Sequence, residues 1–369
     1  LRDDGEADFG DFDMPRIWIA AAAASSPRRK QKANSRPGYV SSHDRVRRLA
    51  ARRRLSPYAA TMEDVMRLIR PALFALALAA SAPAWGQTPP PSLVRAGVTE
   101  KVSAHVWAIP DGSARQVPNV GIVVGSKAVL VVDTGMGARN AKTVLDEVAK
   151  VGADKPIYLV TTHVHPEHDL GAHAFPASSK LIRSKDQEAD IAVTGLTLAN
   201  TFSRMSPLNA ELLAGVSHRK ADITFEKDYT LDLGGVTARI VAVGPNHTLG
   251  DTIVFVEGDR VLFSGDVAMR PQPSFAYPQA KISHWLASLK ELEALTPVIV
   301  IPSHGPFGDV SIMAGYTAYL TDILNNTARL KAEGRSEDEA VKIIGGQMKS
   351  QPDAGRLAGA VRAAYREAP

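Results

Sequence analysis

Residues 162–171 read Thr-His-Val-His-Pro-Glu-His-Asp-Leu-Gly and set three imidazoles and a carboxylate within His163–His168. Imidazole is the commonest metal-ligating side chain, and its neutral ring suits zinc. A cluster of this density points to a metal site. Its chemistry would be Lewis-acid hydrolysis, in which a cation polarises a carbonyl, phosphoryl or sulfuryl oxygen and turns a bound water into hydroxide near neutral pH. The cluster follows directly on the apolar run Ile157-Tyr158-Leu159-Val160, which reads as a strand.

The same grammar, an apolar strand ending in a ligand-type residue, recurs four times. Val129–Val132 runs into Asp133-Thr134-Gly135, and Val241–Val243 into Gly244-Pro245-Asn246-His247. Val261–Phe263 runs into Ser264-Gly265-Asp266, and Val298–Ile301 into Pro302-Ser303-His304. Strand ends along one rim of a sheet converge, so side chains far apart in sequence can meet there. The chain has no cysteine, which excludes disulfides, thiolate nucleophiles, iron–sulfur clusters and thiolate-held zinc. Any metal is therefore held by His, Asp or Glu. Zn²⁺ fits that set, and Fe²⁺ or Mn²⁺ would also fit.

In type, order and interval these five blocks resemble the metallo-β-lactamase superfamily. That family's pattern is His-x-His-x-Asp-His, then a lone His, a bridging Asp or Cys, and a last His. The likeness runs from about residue 100 to 310. It implies an α/β (α+β) fold, an αββα sandwich of two mixed β-sheets flanked by helices, with the site at one edge between the sheets. It also implies two Zn²⁺ per chain. One would rest on His163, His165 and His247, the other on Glu167, His168 and His304, with Asp266 bridging. Glu167 and Asp266 thereby become the carboxylates of the catalytic centre. Asp133 matches an aspartate that orients a ligand through hydrogen bonds.

One position departs from the pattern. Glu167 stands where the family has aspartate, and its extra methylene moves the carboxylate by about 1.5 Å. Three outcomes follow: Glu167 ligates by another rotamer, the second site is weak and the enzyme works with one metal, or Asp169 substitutes. Gly171 keeps the family's spacing after His168 and argues against the last. Arg270, Phe275 and Tyr277, just beyond Asp266, are candidates to meet substrate. His173 and His284 lack the strand-end setting and read as structural; His43, His105 and His218 receive no functional role.

The chain that must position these residues has 369 residues, with 45% apolar and 22% charged side chains, ordinary for a globular protein. Residues 1–65 carry 13 of the 43 basic and 9 of the 39 acidic residues, so the net charge of +4 belongs to them and the remainder is balanced. A small-molecule substrate is therefore expected, and nucleic acid is not. Residues 1–65 show no helical or strand period and read as disordered or as a non-native upstream extension. Residues 66–86 read as a secretory signal: Met66-Arg67-Leu68-Ile69-Arg70, an apolar run, then Ala82-Pro83-Ala84 as cleavage site. Translation would then start at Met62 or Met66. The mature protein would begin near Gln87, periplasmic or secreted, with no membrane anchor after cleavage.

Residues 87–99 read as linker, and 100–369 as the catalytic domain with a C-terminal helical block over about 310–368. Strands are predicted at Val102–Ile109, Val120–Val124, Ala128–Asp133 and Ile157–Thr162, then at Ile223–Phe225, Tyr229–Leu233, Val236–Val243, Thr252–Glu257, Arg260–Ser264 and Val298–Ile301. Ala138–Val151 and Ile282–Leu295 are predicted helices, and 184–214 is mostly helical. The alternation suggests two sheets face to face with helices outside.

The function these features favour is an exported zinc-dependent metallo-hydrolase in which metal-bound hydroxide cleaves an ester, thioester, amide or lactam bond. Three others compete: a true metallo-β-lactamase acting on β-lactam antibiotics, an iron-dependent enzyme of the persulfide-dioxygenase type, and a non-catalytic periplasmic metal-binding protein.

Overall fold

Strands buried on both faces read as continuous apolar runs, and Val129-Leu130-Val131-Val132 shows what that burial does. Val129 and Val131 point to one side, into a layer with Ala141, Val144 and Val148 of a helix. Leu130 and Val132 point to the other, against Val254, Val261, Phe263 and Ile301 of a second sheet. The structure, a computed structural model, describes residues 91–270, 276–349 and 356–369, which belong to the compact unit Ala84–Pro369. The segments 1–65 and 66–86 and the residue Phe275 lie outside the described residues.

Among the described residues twelve strands form two mixed sheets. The first has seven strands in sequential order: β1 (Glu100–Lys101), β2 (Val106–Ile109), β3 (Val120–Val124), β4 (Val129–Val132), β5 (Ile157–Val160), β6 (Lys180–Ser184) and β7 (Ile223–Phe225). β1 to β4 pair antiparallel, and β4 to β7 pair parallel. The second holds β8 (Asp228–Asp232), β9 (Thr237–Ala242), β10 (Thr252–Val256), β11 (Val261–Gly265) and β12 (Ile299–Pro302) in the order 12-11-10-9-8. Only β11 and β12 pair parallel there.

The helices are α1 (Gly137–Gly152), α2 (Pro166–Asp169), α3 (Lys185–Asp190), α4 (Leu196–Ser203), α5 (Pro207–Leu212), α6 (Ile282–Ala294), α7 (Ser311–Ala332), α8 (Glu337–Gln347) and α9 (Leu357–Glu367). A π-helical turn, Ile191–Gly195, joins α3 to α4. α1 covers the first sheet. Trp285 and Leu289 of α6, Met313 and Tyr316 of α7, and Ala360 and Val361 of α9 cover the second, over Ile253, Phe255 and Leu262. This is the αββα sandwich with two mixed sheets. No described helix is long and apolar enough to cross a membrane.

The structure departs from the sequence reading at two places. Residues 91–99 were expected as linker, yet Val94 is buried, and its N–H donates to Asn140 Oδ1 at 2.8 Å. The Gly97 N–H and the Thr99 hydroxyl donate to the Glu147 carboxylate. Polar side chains on α1 supply these bonds, so hydrophobic pattern gave no hint of them. The second departure is β6, where no strand was expected because Lys180, Arg183 and Ser184 break the apolar run. Arg183 is nevertheless wholly buried, its guanidinium bonded to Asp169 and to Glu188 at 2.8 Å. A buried charge persists when paired and hydrogen-bonded.

Candidate metal centre

β4 and β5 run parallel, as do β11 and β12, and β9 points the same way as β11 across the antiparallel β10. The carboxyl ends of these five strands therefore carry Asp133, His163 and His165, His247, Asp266 and His304. Backbone bonds join the two sheets at this edge: Thr252 N–H donates to Thr162 O at 2.8 Å, and Asn119 N–H to Ser303 O at 2.6 Å. α2 turns the chain immediately after β5, so Glu167 and His168 come back over the strand ends. Gly171 closes the turn, because a Cβ there would lie 2.3 Å from Thr134 O.

All seven residues expected as ligands are buried and fall into two groups, His163, His165, His247 and Asp266, and Glu167, His168 and His304. Within each group the potential ligand atoms lie within 4.8 Å of one another. His165 Nδ1 is 3.1 Å from both His163 Nε2 and His247 Nε2, and His247 Nε2 is 3.3 Å from Asp266 Oδ2. Tetrahedral zinc with bonds of 2.0–2.1 Å separates its ligand atoms by about 3.3 Å. The second group is wider: His168 Nε2 is 3.9 Å from Glu167 Oε1. His304 Nε2 is 3.8 Å from Asp266 Oδ1, so the two oxygens of Asp266 face one group each.

The donor set fits divalent cations. Glu167 Oε2, His168 Nε2 and both Asp266 oxygens are buried without a hydrogen-bond partner among the described residues. Buried polar atoms are otherwise almost always satisfied, so four orphans converging on one place call for a bound group. Tautomers agree. His168 Nδ1 donates to Asp133 Oδ2 at 2.8 Å, and His304 Nδ1 to Val117 O at 2.9 Å, so both rings turn Nε2 inward.

Asp133 is the hub behind the ligands. It receives the Thr162 N–H at 2.7 Å, the Thr162 hydroxyl at 3.0 Å and the Ser303 hydroxyl at 3.2 Å, besides His168. Its φ of 65° lies in the left-handed region, a strained backbone for a residue other than glycine that these bonds hold in place.

Charge differs between the groups. Burial, then the charges of neighbouring rings, holds His163 and His165 well below the usual histidine range. Burial also works against a charge on His168, but Asp133, with Glu167 and Asp266, overcomes it and pushes the ring up to about 9. Burial raises Glu167. Asp266 is also pushed up by burial, but His304, His247, His168 and Arg356 outweigh this and hold it well below the usual carboxylate range.

Other expected residues take different places. Asp169 points away from the ligands, to the Thr161 hydroxyl at 2.8 Å, His218 Nδ1 at 2.5 Å and the Arg183 guanidinium, so it does not substitute for Glu167. Arg270 is exposed, near Gly308 and Ile312 of the α7 side. Tyr277 is half-buried, and its N–H donates to Asn246 O at 3.3 Å, beside His247. His173 Nδ1 bonds Leu170 O, His284 Nε2 bonds Val243 O, and His105 pairs with Asp259. Sequence reasoning missed Phe202 of α4, whose ring centroid is 5.7 Å from that of His165. It does not follow an apolar strand, so no local pattern flags it.

The sequence profile of the Metallo-beta-lactamase superfamily matches residues 115–304, just over half of the chain. The protein belongs to that superfamily, most of whose members are metallo-hydrolases. It is 26% identical over 220 residues to a linear primary-alkylsulfatase of Pseudomonas sp. (strain ATCC 19151), covering 50% of this chain and 40% of that one. It is 25% identical over 189 residues to an acyl-coenzyme A thioesterase of Homo sapiens, covering 47% of this chain and 66% of the relative. The chain thus spans less than two thirds of either relative's length. A solved stereoselective inverting sec-alkylsulfatase from Pseudomonas sp. superposes with a TM-score of 0.56 at 17% identity, covering 73% of this chain and 50% of that one. That likeness is one of fold.

Proposed function

We propose that this protein is an exported zinc-dependent hydrolase, with two ions per chain, that cleaves an ester or thioester bond. One observation carries the reading: Asp266 is buried between two clusters of inward-facing ligands, and neither of its oxygens has a hydrogen-bond partner among the described residues. Bound there, divalent cations would acidify a water and polarise the oxygen of the scissile group.

The chain's own part is positioning. Asp266 offers one oxygen to each group. Asp133 and Val117 O fix the His168 and His304 tautomers, and Thr162 and Ser303 fix Asp133 in turn. α2 brings Glu167 and His168 over the strand ends, and the Phe202 ring packs beside His165. No side-chain nucleophile is required, in keeping with a chain that lacks cysteine. The named relatives are an alkylsulfatase and an acyl-coenzyme A thioesterase, which supports an ester-type bond. The export signal read over 66–86 supports a periplasmic or secreted product.

The test is metal analysis joined to a substrate panel. Protein dialysed against zinc should retain about two ions per chain, as expected for two ligand groups sharing a carboxylate. It should hydrolyse p-nitrophenyl acetate or p-nitrophenyl sulfate, lose that activity on chelation, and regain it with zinc. Stoichiometric iron with oxygen uptake, or no turnover of any ester in the loaded protein, would overturn the reading.

A further inference from the structure

The hydrolytic reading leaves one buried charge network without a role. α2 is only four residues long, yet it carries Glu167 and His168 of the second ligand group. A helix of one turn has little stability of its own, so its place is set by what holds it. On the β4 side the hold falls on His168. Asp133 bonds the ring, and the Thr134 N–H and hydroxyl donate to His168 O at 3.0 and 2.9 Å. Glu167 Oε2 has no hydrogen-bond partner among the described residues, so the place of that carboxylate follows from the turn as a whole.

On the β6 side the turn is held by Asp169, its last residue, which is buried and directs its carboxylate away from the ligands. Oδ1 accepts from the Thr161 hydroxyl at 2.8 Å and from the Arg183 guanidinium, and Oδ2 stands 2.5 Å from His218 Nδ1. The three partners come from three segments: the end of β5, β6, and the loop before β7. They are fixed in turn. Thr161 Oγ1 accepts from Gln187 Nε2 at 2.8 Å and from Arg183 Nε at 3.3 Å, which leaves its proton for Asp169. Arg183 also bonds Glu188 at 2.8 Å and Arg219 O. The half-buried His218 ring lies against Gly195 of the π-helical turn, where a Cβ would come within 2.6 Å of Nε2.

We infer that Asp169, Arg183 and His218 form a clamp that positions α2, and through it sets where Glu167 and His168 stand to hold the second ion. The inference rests on the metal reading of the site for the word ion; the clamp itself is a matter of the chain alone. Desolvation offsets most of the attraction within a buried ion pair, so the clamp contributes defined geometry more than stability. Ligands must be held within about half an ångström of their working places. Three bonds from three segments fix the Asp169 carboxylate in place and direction, next to His168 and two residues from Glu167. The first group, His163, His165, His247 and Asp266, takes no residue from α2. The clamp therefore acts on one group and not on the other, which a general contribution to stability would not do.

The experiment titrates zinc into the full-length protein against a chromophoric chelator and resolves the two affinities. Asp169→Asn keeps the shape of the side chain and removes its charge. It should weaken the second ion about tenfold, the scale for partners that stand behind metal ligands, and leave the first unchanged. His218→Gln should weaken the second ion about threefold, the scale of one hydrogen bond. The two together should do no more than Asp169→Asn alone, because both act through one carboxylate. Glu188→Gln touches Arg183 but not α2, so it should lower stability in urea melts and leave both affinities at wild type. Amide hydrogen exchange on chelated protein gives a reading that needs no metal. In Asp169→Asn the α2 amides should exchange about tenfold faster, with those of β4 and β11 unchanged. Equal loss from both groups, or an unchanged second affinity in a variant with wild-type circular dichroism, overturns the clamp. So does a shift in Glu188→Gln that matches Asp169→Asn. If Asp169→Asn fails to fold, His218→Gln decides by the same criterion. A wild type that binds no zinc sinks the metal reading and not the clamp, which exchange then decides: unchanged α2 amides overturn it.

Discussion

The two ligand groups share a carboxylate and are both built from imidazoles and carboxylates, yet they are not equivalent. Around His165 the facing atoms stand 3.1–3.3 Å apart, close to the edge of a zinc tetrahedron. Around His168 they stand 3.8–3.9 Å apart. The rings differ in charge as well. Burial keeps His163 and His165 neutral, whereas Asp133 and its neighbours push His168 up to about 9. A cation entering the first group meets lone pairs already in place; one entering the second must draw ligands together and displace a proton. The sites are thus unequal, both in their ligands, since Glu167 stands in one where the other has a third imidazole, and in what stands behind each ring.

The substitution that should erase the comparison altogether is Asp266→Ala. It removes an oxygen from both groups at once. Bound zinc should fall from about two ions to one or none, and hydrolysis to background, since both sites lose a ligand of the kind zinc requires. Retention of two ions would show that Asp266 does not bridge.

Asp133→Asn should separate the groups. Its carboxylate holds His168, so the second ion should bind about 10–100-fold more weakly while the first is unaffected, as for other partners of ligating histidines. Competition with a chromophoric chelator resolves the two affinities. Parallel losses in both groups would break the distinction.

Glu167→Asp sharpens the comparison on the wide side only. A shorter side chain loses less rotamer freedom on binding, so the second ion should gain affinity by up to about tenfold. Loss of that ion instead would mean that α2 is set for the longer carboxylate.

Glu147→Gln is the control distant from both groups. Burial works against its ionised carboxyl, but Lys150, Thr99 and the Gly97 N–H outweigh it and hold the group below the usual glutamate range. A carboxyl lowered in the folded state stabilises above its unfolded pKa, and that stability is lost as pH falls through the folded value. At pH 7 the substitution should cost about 1–3 kcal/mol, the scale of hydrogen bonds to a buried charged group. The difference from wild type in urea melts should close as pH falls below the ordinary glutamate value of about 4.3 and through the lower folded value. Zinc affinities should not move. A change in either would show that stability and ligand geometry are coupled.

The apolar strands that end in Asp133, His163, His247, Asp266 and His304 were legible because a strand buried on both faces must be apolar and must stop where a polar side chain begins. β6 was not legible, since Arg183 is tolerated there only by Asp169 and Glu188, which arrive from α2 and α3. The anchoring of residues 91–99 was hidden for a similar reason: Asn140 and Glu147 hold it by hydrogen bonds, which leave no period in the sequence.

By itself the sequence determined the ligand inventory, the exclusion of thiolate chemistry and the strand ends on which the ligands sit, because residue type and hydrophobic alternation are local properties. The tertiary structure alone decided that Asp266 turns one oxygen to each group, that Asp133 charges one ring, and that Phe202 of α4 packs on His165. Those facts depend on distances of a few ångströms between segments far apart in the chain. Spacing along a sequence carries no record of such distances.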